Sequence, residues 1–222
     1  MSKESAELEA VILPEAISQD VARLINYLRC SNAPDEVLIE ATRHIQQALE
    51  TLKPWLLEGE GWSTVSVAGD MSALQWSEED ITSVMPYSPV SGKRNAIALP
   101  IKLWKVGDKE VLGEAVFSST YAGPPNAVHG GIIAAVFDEV LAMANVISGN
   151  AGFTGTLTIK YHDKTPLNTP VELWGMNVRQ DGRKQISRGE MRVNGKVVAS
   201  AEGLFIGAAA SPRDQSEVRL AE

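Results

Sequence analysis

The chain has little of several things. It has one cysteine, Cys30, in 222 residues. This excludes an internal disulfide and fits a reducing compartment, so the expected location is cytoplasmic. Cys30 itself reads as a small core residue. There are three histidines, His44, His129 and His162. None falls in an H-E-x-x-H spacing, so no metal site is expected. There is no G-x-S-x-G to form a serine-hydrolase elbow, and no Walker or dinucleotide-type glycine loop. No apolar stretch is expected to span a bilayer. Residues 1–10 lack the basic-then-apolar order of a secretory signal. Basic residues are scarce at the front, where residues 1–85 hold 15 Asp/Glu against 5 Lys/Arg. That balance argues against non-specific nucleic-acid binding. The five tryptophans, Trp55, Trp62, Trp76, Trp104 and Trp174, are expected in the core or an interface rather than in a cofactor box.

What is present suits a globular chain. Hydrophobic residues are 44% and charged residues 22%, enough to bury a sizeable core. Residues 86–222 hold 13 acids and 15 bases, a balance compatible with one small anionic ligand. No internal repeat is visible. The front half reads helical. Ser18 is the expected cap of a helix to about Arg29, with Val21, Leu24, Ile25 and Leu28 at helical spacing. Asn32 or Ala33 would cap a second helix with Pro34 near its first position and Asp35 and Glu36 in its first turn. That helix should run to about Lys53 and bury Val37, Ile45, Ala48, Leu49 and Leu52. Residues 58–85 read as loop.

From Asn95 the period becomes two. Ile97, Leu99, Ile101 and Leu103 alternate as in a strand, Gly107-Asp108 turns, and Val111 to Tyr121 returns. Four more strands are expected at 154–163, 171–180, 184–193 and 197–206. Asp181-Gly182 and Asn194-Gly195 supply hairpin turns between the last three. Between the two groups lies one long apolar helix after Gly123-Pro124-Pro125. The expected class is α+β, an antiparallel sheet around that helix. The expected organisation is a helical extension over 1–85, one α+β domain over 86–208 and a tail over 209–222.

The long helix, within NAVHGGIIAAVFDEVLAMAN, is apolar nearly all round, which predicts burial on most sides. It nevertheless holds Asp138 and Glu139. An Asp-Glu pair in a helix is ordinarily a solvated face, but apolar flanks on both sides place at least one acid away from water. Adjacent helix residues point about 100° apart, so the two acids should have different jobs. Burying a carboxylate is costly and typical of a catalytic group. Gly130 and Gly131 stand where the helix should begin. Backbone N–H groups there are free and side-chain cover is absent, a donor site for a carbonyl oxygen gaining charge. Eight residues separate Gly130 from Asp138, about 12 Å along a helix. A base must lie about 3 Å from its target. One helix therefore serves two sites, and two helices of a two-fold dimer would complete each.

His129-Gly130-Gly131 with Asp138 resembles the signature of hotdog-fold acyl-CoA thioesterases of the phenylacetate-pathway (PaaI-like) type. The likeness is nearest the thioesterase superfamily member 4 type. SPVSGKRNAIALP, GPPNAVHGG, TGTLTIKYHDKTPL and GKVVASAEGLFI support it over roughly residues 86–207. The resemblance implies a hotdog fold and acyl-CoA as substrate. No cofactor is implied, coenzyme A being part of the substrate. Asp138 would be the catalytic acid and Gly130 the residue whose N–H polarises the thioester carbonyl, with His129 shaping the turn. Thr154 would position the water or the acid. Gly131, Asn126, Lys160 and His162 would contact substrate, the last two on a strand that meets coenzyme A, and the basic pair Arg183 and Lys184 would suit its phosphates. Some family members have Asn six residues before the His, where this chain has Gly123; Asn126 lies nearer. Glu139 reads as a structural, hydrogen-bonding acid.

Two readings remain from the sequence. One is an enzyme hydrolysing acyl-CoA, with Asp138 as general base or nucleophile across a homodimer that pairs or does not pair into a tetramer. The other is a non-catalytic acyl-CoA-binding sensor on the same fold. The acid retained in an apolar helix favours the enzyme.

Overall fold

The computed structural model describes residues 3–56, 77 and 79–207. Six strands form one antiparallel sheet: β1 Ile101–Val106, β2 Glu110–Val116, β3 Gly152–Tyr161, β4 Pro170–Asp181, β5 Lys184–Val193 and β6 Lys196–Gly207. Their spatial order is β1-β2-β4-β5-β6-β3, which leaves β1 and β3 as edges. The two short hairpins follow from turn chemistry. Gly182 (φ 55°) supplies one left-handed position, and Asn194 (φ 50°) with Gly195 (φ 76°) supplies two, as mirror-type hairpin turns require.

Helix α3, Gly130–Ile147, lies across one face of the sheet and touches every strand. It sits deep because side chains are missing beneath it. Gly175 and Gly189 are register partners on β4 and β5. A Cβ at Gly175 would come 2.6 Å from Val140 Cγ1, and one at Gly189 3.0 Å from Leu141 Cδ2. Phe117, Phe137, Phe205, Leu103, Leu141 and Met191 fill the core between helix and sheet. By length and composition alone α3 is apolar enough to cross a bilayer, at mean hydropathy 1.7 over 18 residues, contrary to the sequence expectation. It is packed on the sheet instead, with 56% of the helix buried.

Several elements differ from expectation. Strand β1 begins at Ile101, not near Asn95. Leu99 N–H turns back to the Val90 carbonyl, and Pro100 has no N–H for a ladder. Strand β2 ends at Val116, because Ser118 Oγ accepts from Thr120 N–H and starts a 3-10 turn over Ser119–Tyr121. Within the stretch expected as loop, Ile81–Val84 form a 3-10 turn whose Ile81 and Val84 join the core. Residues 57–76, with Trp62 and Trp76, lie outside the described residues, as do 208–222.

The front helices are α1, Lys3–Cys30, and α2, Asp35–Leu52. Ser18 is interior to α1, not its cap: its hydroxyl donates to the Pro14 carbonyl at 2.9 Å. Pro34 occupies the cap position of α2. The face of α2 expected to be buried is open. No side chain of this helix is buried among the described residues, and Val37, Leu49 and Leu52 are all exposed. Helix α1 packs on the 3-10 turn Ser119–Tyr121. There Thr120 Oγ1 donates to Asn26 Oδ1 at 3.1 Å, and Cys30, exposed rather than buried, has its Sγ 2.8 Å from Ser119 Oγ. Trp104 and Trp174 are half-buried on the sheet, whereas Trp55 is exposed.

Candidate active site

The start of α3 is built by a tight reversal of chain. Gly123 N–H donates to the Ala127 carbonyl and Ala127 N–H to the Pro124 carbonyl, with Ala122 and Val128 bridged. Asn126 takes φ 58° in this reversal, a conformation that Asn tolerates better than most residues. Gly123 cannot carry a side chain here, because a Cβ would come 2.7 Å from His129 Cα. His129 then caps α3. Its Nδ1 accepts from the Gly131 N–H at 2.9 Å, while its own N–H donates to the Tyr121 carbonyl at 2.9 Å. Among the described residues nothing accepts from the Gly130 N–H. The helix thus begins with one donor taken and the preceding one open, at the positive end of its dipole.

Two turns further on, the paired acids diverge. Glu139 is the buried one, at 9% exposure. It accepts from Ser88 Oγ at 3.1 Å and from Ser91 Oγ. Burial holds its pKa above the ordinary value. The two serine hydrogen bonds pull the other way, and the neighbouring Asp138 charge adds to the rise. Asp138 is half-buried and receives Thr154 Oγ1 on its Oδ1 at 2.7 Å. The apolar surroundings read from the sequence therefore desolvate Glu139 more than Asp138 within one chain. Gly131, Ala134, Ala135, Asp138 and Ala142 are the incompletely buried positions at helical spacing along α3. They form one open stripe.

Strand β3 frames this stripe. Thr154 pairs with Phe205 and Thr156 with Leu204, so Gly155 is an extra residue, a bulge. Phe205 is fully buried on the α3 side, which places Thr154 there too. Beyond the bulge the inner positions are Leu157, Ile159 and Tyr161, opposite Gly203, Ala201 and Ala199. Tyr161, which sequence reasoning passed over, reaches the helix start: its hydroxyl donates to the Gly130 carbonyl at 3.0 Å. Lys160 falls on the outer face with its partner Ser200, and His162 Nε2 lies 2.8 Å from Ser200 Oγ. Lys160 also lines an outer-face groove of about 520 Å³ with Thr158, Arg188 and Glu202. Within one chain, Lys160 and His162 are thus across the strand from Gly130 and Asp138. Arg183 and Lys184 stand at the β4–β5 hairpin, at the Thr154 end of the sheet, and Arg183 Nε donates to the Gly207 carbonyl at 2.9 Å.

The structure resembles solved ones. A thioesterase superfamily protein superposes with TM-score 0.72 at 29% identity, over 87% of this chain and 94% of that chain. The fold is the hotdog fold. Looser likenesses, both at TM-score 0.47, include a hypothetical thioesterase protein with coenzyme A from Streptococcus pneumoniae and a variant of the phenylacetic acid degradation protein PaaI from Thermus thermophilus. The first is 18% identical over 50% of this chain and 91% of that chain; the second is 21% identical over 50% and 95%. No protein-family model matches the sequence, and no curated protein matches it. The structural neighbours are thus thioesterase-superfamily proteins, and the extent of the first superposition takes in most of the chain.

Proposed function

We propose that the chain hydrolyses acyl-CoA thioesters to a free acid and coenzyme A, in the PaaI-like manner and nearest the thioesterase superfamily member 4 type. The observation that carries this reading is one helix with two reactive features: an open Gly130 N–H at its start and the Asp138 carboxylate oriented by Thr154 two turns later. The likeness to a thioesterase-superfamily structure at 29% identity supports it.

Two routes balance. As general base, Asp138 takes a proton from water while the oxygen attacks the thioester carbon. The oxyanion accepts the Gly130 N–H, and collapse expels the thiolate, which takes the proton from Asp138. As nucleophile, the carboxylate attacks the carbon and expels the thiolate, which is protonated from solvent. Water then cleaves the mixed anhydride and regenerates Asp138.

Eight residues, about 12 Å, part Gly130 from Asp138, so a second copy of the chain completes each site. β3 suits that role: it is an edge strand ten residues long, with the open stripe of α3 beside it. Edge strands are ready templates for pairing with another chain. Arg183 and Lys184 would meet the phosphates of coenzyme A, and the N-terminal helices form an extension before the catalytic domain. The working location is cytoplasmic.

The test is thiol release from acyl-CoA esters of increasing chain length. The wild type should turn over at least one class, and Asp138→Asn should lose roughly 100-fold or more in kcat. Full activity in Asp138→Asn removes the catalytic assignment. Saturable binding without turnover in the wild type gives the sensor reading instead.

A further inference from the structure

We propose that Tyr161 is a positioning residue that aims the Gly130 N–H at the substrate carbonyl. This rests on the thioesterase reading, but the arrangement is visible without it. The peptide unit joining Gly130 to Gly131 is gripped at both ends. Its carbonyl oxygen accepts the Tyr161 hydroxyl at 3.0 Å, and its N–H donates to His129 Nδ1 at 2.9 Å. The preceding unit, joining His129 to Gly130, is held through its carbonyl, which accepts from Ile132 and Ile133 N–H at 2.9 and 3.2 Å. Each peptide unit is planar, so holding the planes on both sides of the Gly130 Cα fixes its φ and ψ.

That restraint has a purpose in a glycine pair. Glycine has the widest choice of backbone torsions, and two in succession at a helix start would let the terminal N–H groups swing. The grip leaves the Gly130 N–H as the one donor of this stretch with no acceptor among the described residues. A donor fixed before the charge develops stabilises it without reorganising at the moment of reaction. The Tyr161 ring stands against the same residue: a Cβ on Gly130 would lie 3.5 Å from its hydroxyl oxygen and 3.7 Å from Cε1. Tyr161 itself is 53% exposed. Its hydroxyl is therefore not aimed at Gly130 by burial, and a surface tyrosine has water as an alternative partner.

Tyr161→Phe keeps the ring and removes the hydrogen bond. Two quantities are read together: steady-state hydrolysis of acyl-CoA, and hydrogen exchange at the Gly131 amide by NMR. The expected result is a kcat lower by on the order of tenfold, the effect of about one neutral hydrogen bond. KM and melting temperature should hold, while Gly131 exchange quickens by a similar factor. A kcat or a Gly131 exchange rate within about twofold of wild type overturns the proposal, as does a loss expressed in KM alone. If the wild type hydrolyses no acyl-CoA, the thioesterase reading fails separately. Gly131 exchange then still decides whether Tyr161 holds that peptide: quickened exchange sustains the grip, and unchanged exchange refutes it.

Discussion

Thr154 and Tyr161 face the same side of β3, though strict alternation over their separation would put them on opposite sides. Gly155 makes the difference: as the extra residue of a bulge it shifts the alternation by one position. The inner face of β3 consequently bonds to α3 at two points, Thr154 at Asp138 and Tyr161 at Gly130.

Thr154→Val should keep the fold and lower kcat. Valine preserves shape but cannot donate to Asp138 Oδ1, a charge-assisted bond worth about 1.5–3 kcal/mol. A fall of roughly tenfold or more in kcat is expected, with only a modest drop in the urea midpoint, because Thr154 is exposed and water can replace its hydroxyl at Asp138. An unaltered kcat would remove Thr154 from the site.

Gly130→Pro deletes the N–H and little else. Gly130 is the first residue of α3, where proline is at home, and His129 at φ −64°, ψ 135° already has the backbone that precedes proline. Alone, this variant and Asp138→Asn should each be nearly inactive. Co-refolded, they should give mixed dimers with one intact site and recover up to about half the wild-type rate per mixed dimer. Recovery no greater than the sum of the parents would sink the cross-subunit arrangement.

His129→Ala removes the cap on the Gly131 N–H. The loss should cost about 1 kcal/mol of unfolding free energy, the usual size for a helix cap. Urea denaturation reads it directly. Unchanged stability together with unchanged turnover would mean that the cap observed at 2.9 Å has no energetic weight.

Glu139 gives a pH dependence with a definite sign. Its pKa is raised on folding, chiefly by burial, so the folded chain holds this proton more tightly than the unfolded chain. Its contribution to stability is therefore largest below the ordinary value of 4.5. That contribution declines as pH rises from there through the raised folded value, then levels off. Glu139→Gln removes the titration while its carbonyl oxygen still accepts from Ser88 or Ser91. The difference in unfolding free energy between wild type and variant should shift in favour of the variant across that window. Parallel pH profiles would contradict it.

Gly175→Ala should destabilise by about 1–3 kcal/mol, the range for overpacking a tight core. Its new methyl would stand 2.6 Å from Val140 Cγ1. Adding Val140→Ala should recover part of the loss, since the two sites share one contact. Simple additivity in that double-mutant cycle would show that the helix shifts rather than clashes.

Much of the fold was legible because local chemistry and global architecture agree. The hairpin turns at Gly182 and Asn194-Gly195, the alternation in β4 to β6 and the glycine start of α3 are all local signals. The elements that differed turn on features that hydrophobic periodicity does not register. Pro100 and the Val90 carbonyl delay β1, and the open face of α2 has no partner within the described chain. At the candidate site, Thr154 came only from the family resemblance, while Asp138 and Gly130 stood out by type and spacing. Tyr161 did not, because no sequence period reveals the bulge at Gly155. Alternation counted from Thr154 would have put Lys160 on the inner face and sent Tyr161 outward. Likewise, the partners of Glu139, Ser88 and Ser91, lie some fifty positions away and carry no pattern of their own.

The glycine seat beneath α3 has a consequence for tailoring this chain. The floor under Val140 and Leu141 is already at contact distance, so enlarging side chains there can only pry helix and sheet apart. On the proposed reading, room for a different acyl group would be sought on the open stripe, at Ala134, Ala135 and Ala142. In the proposed two-fold pair, each change there would be inherited by both centres at once.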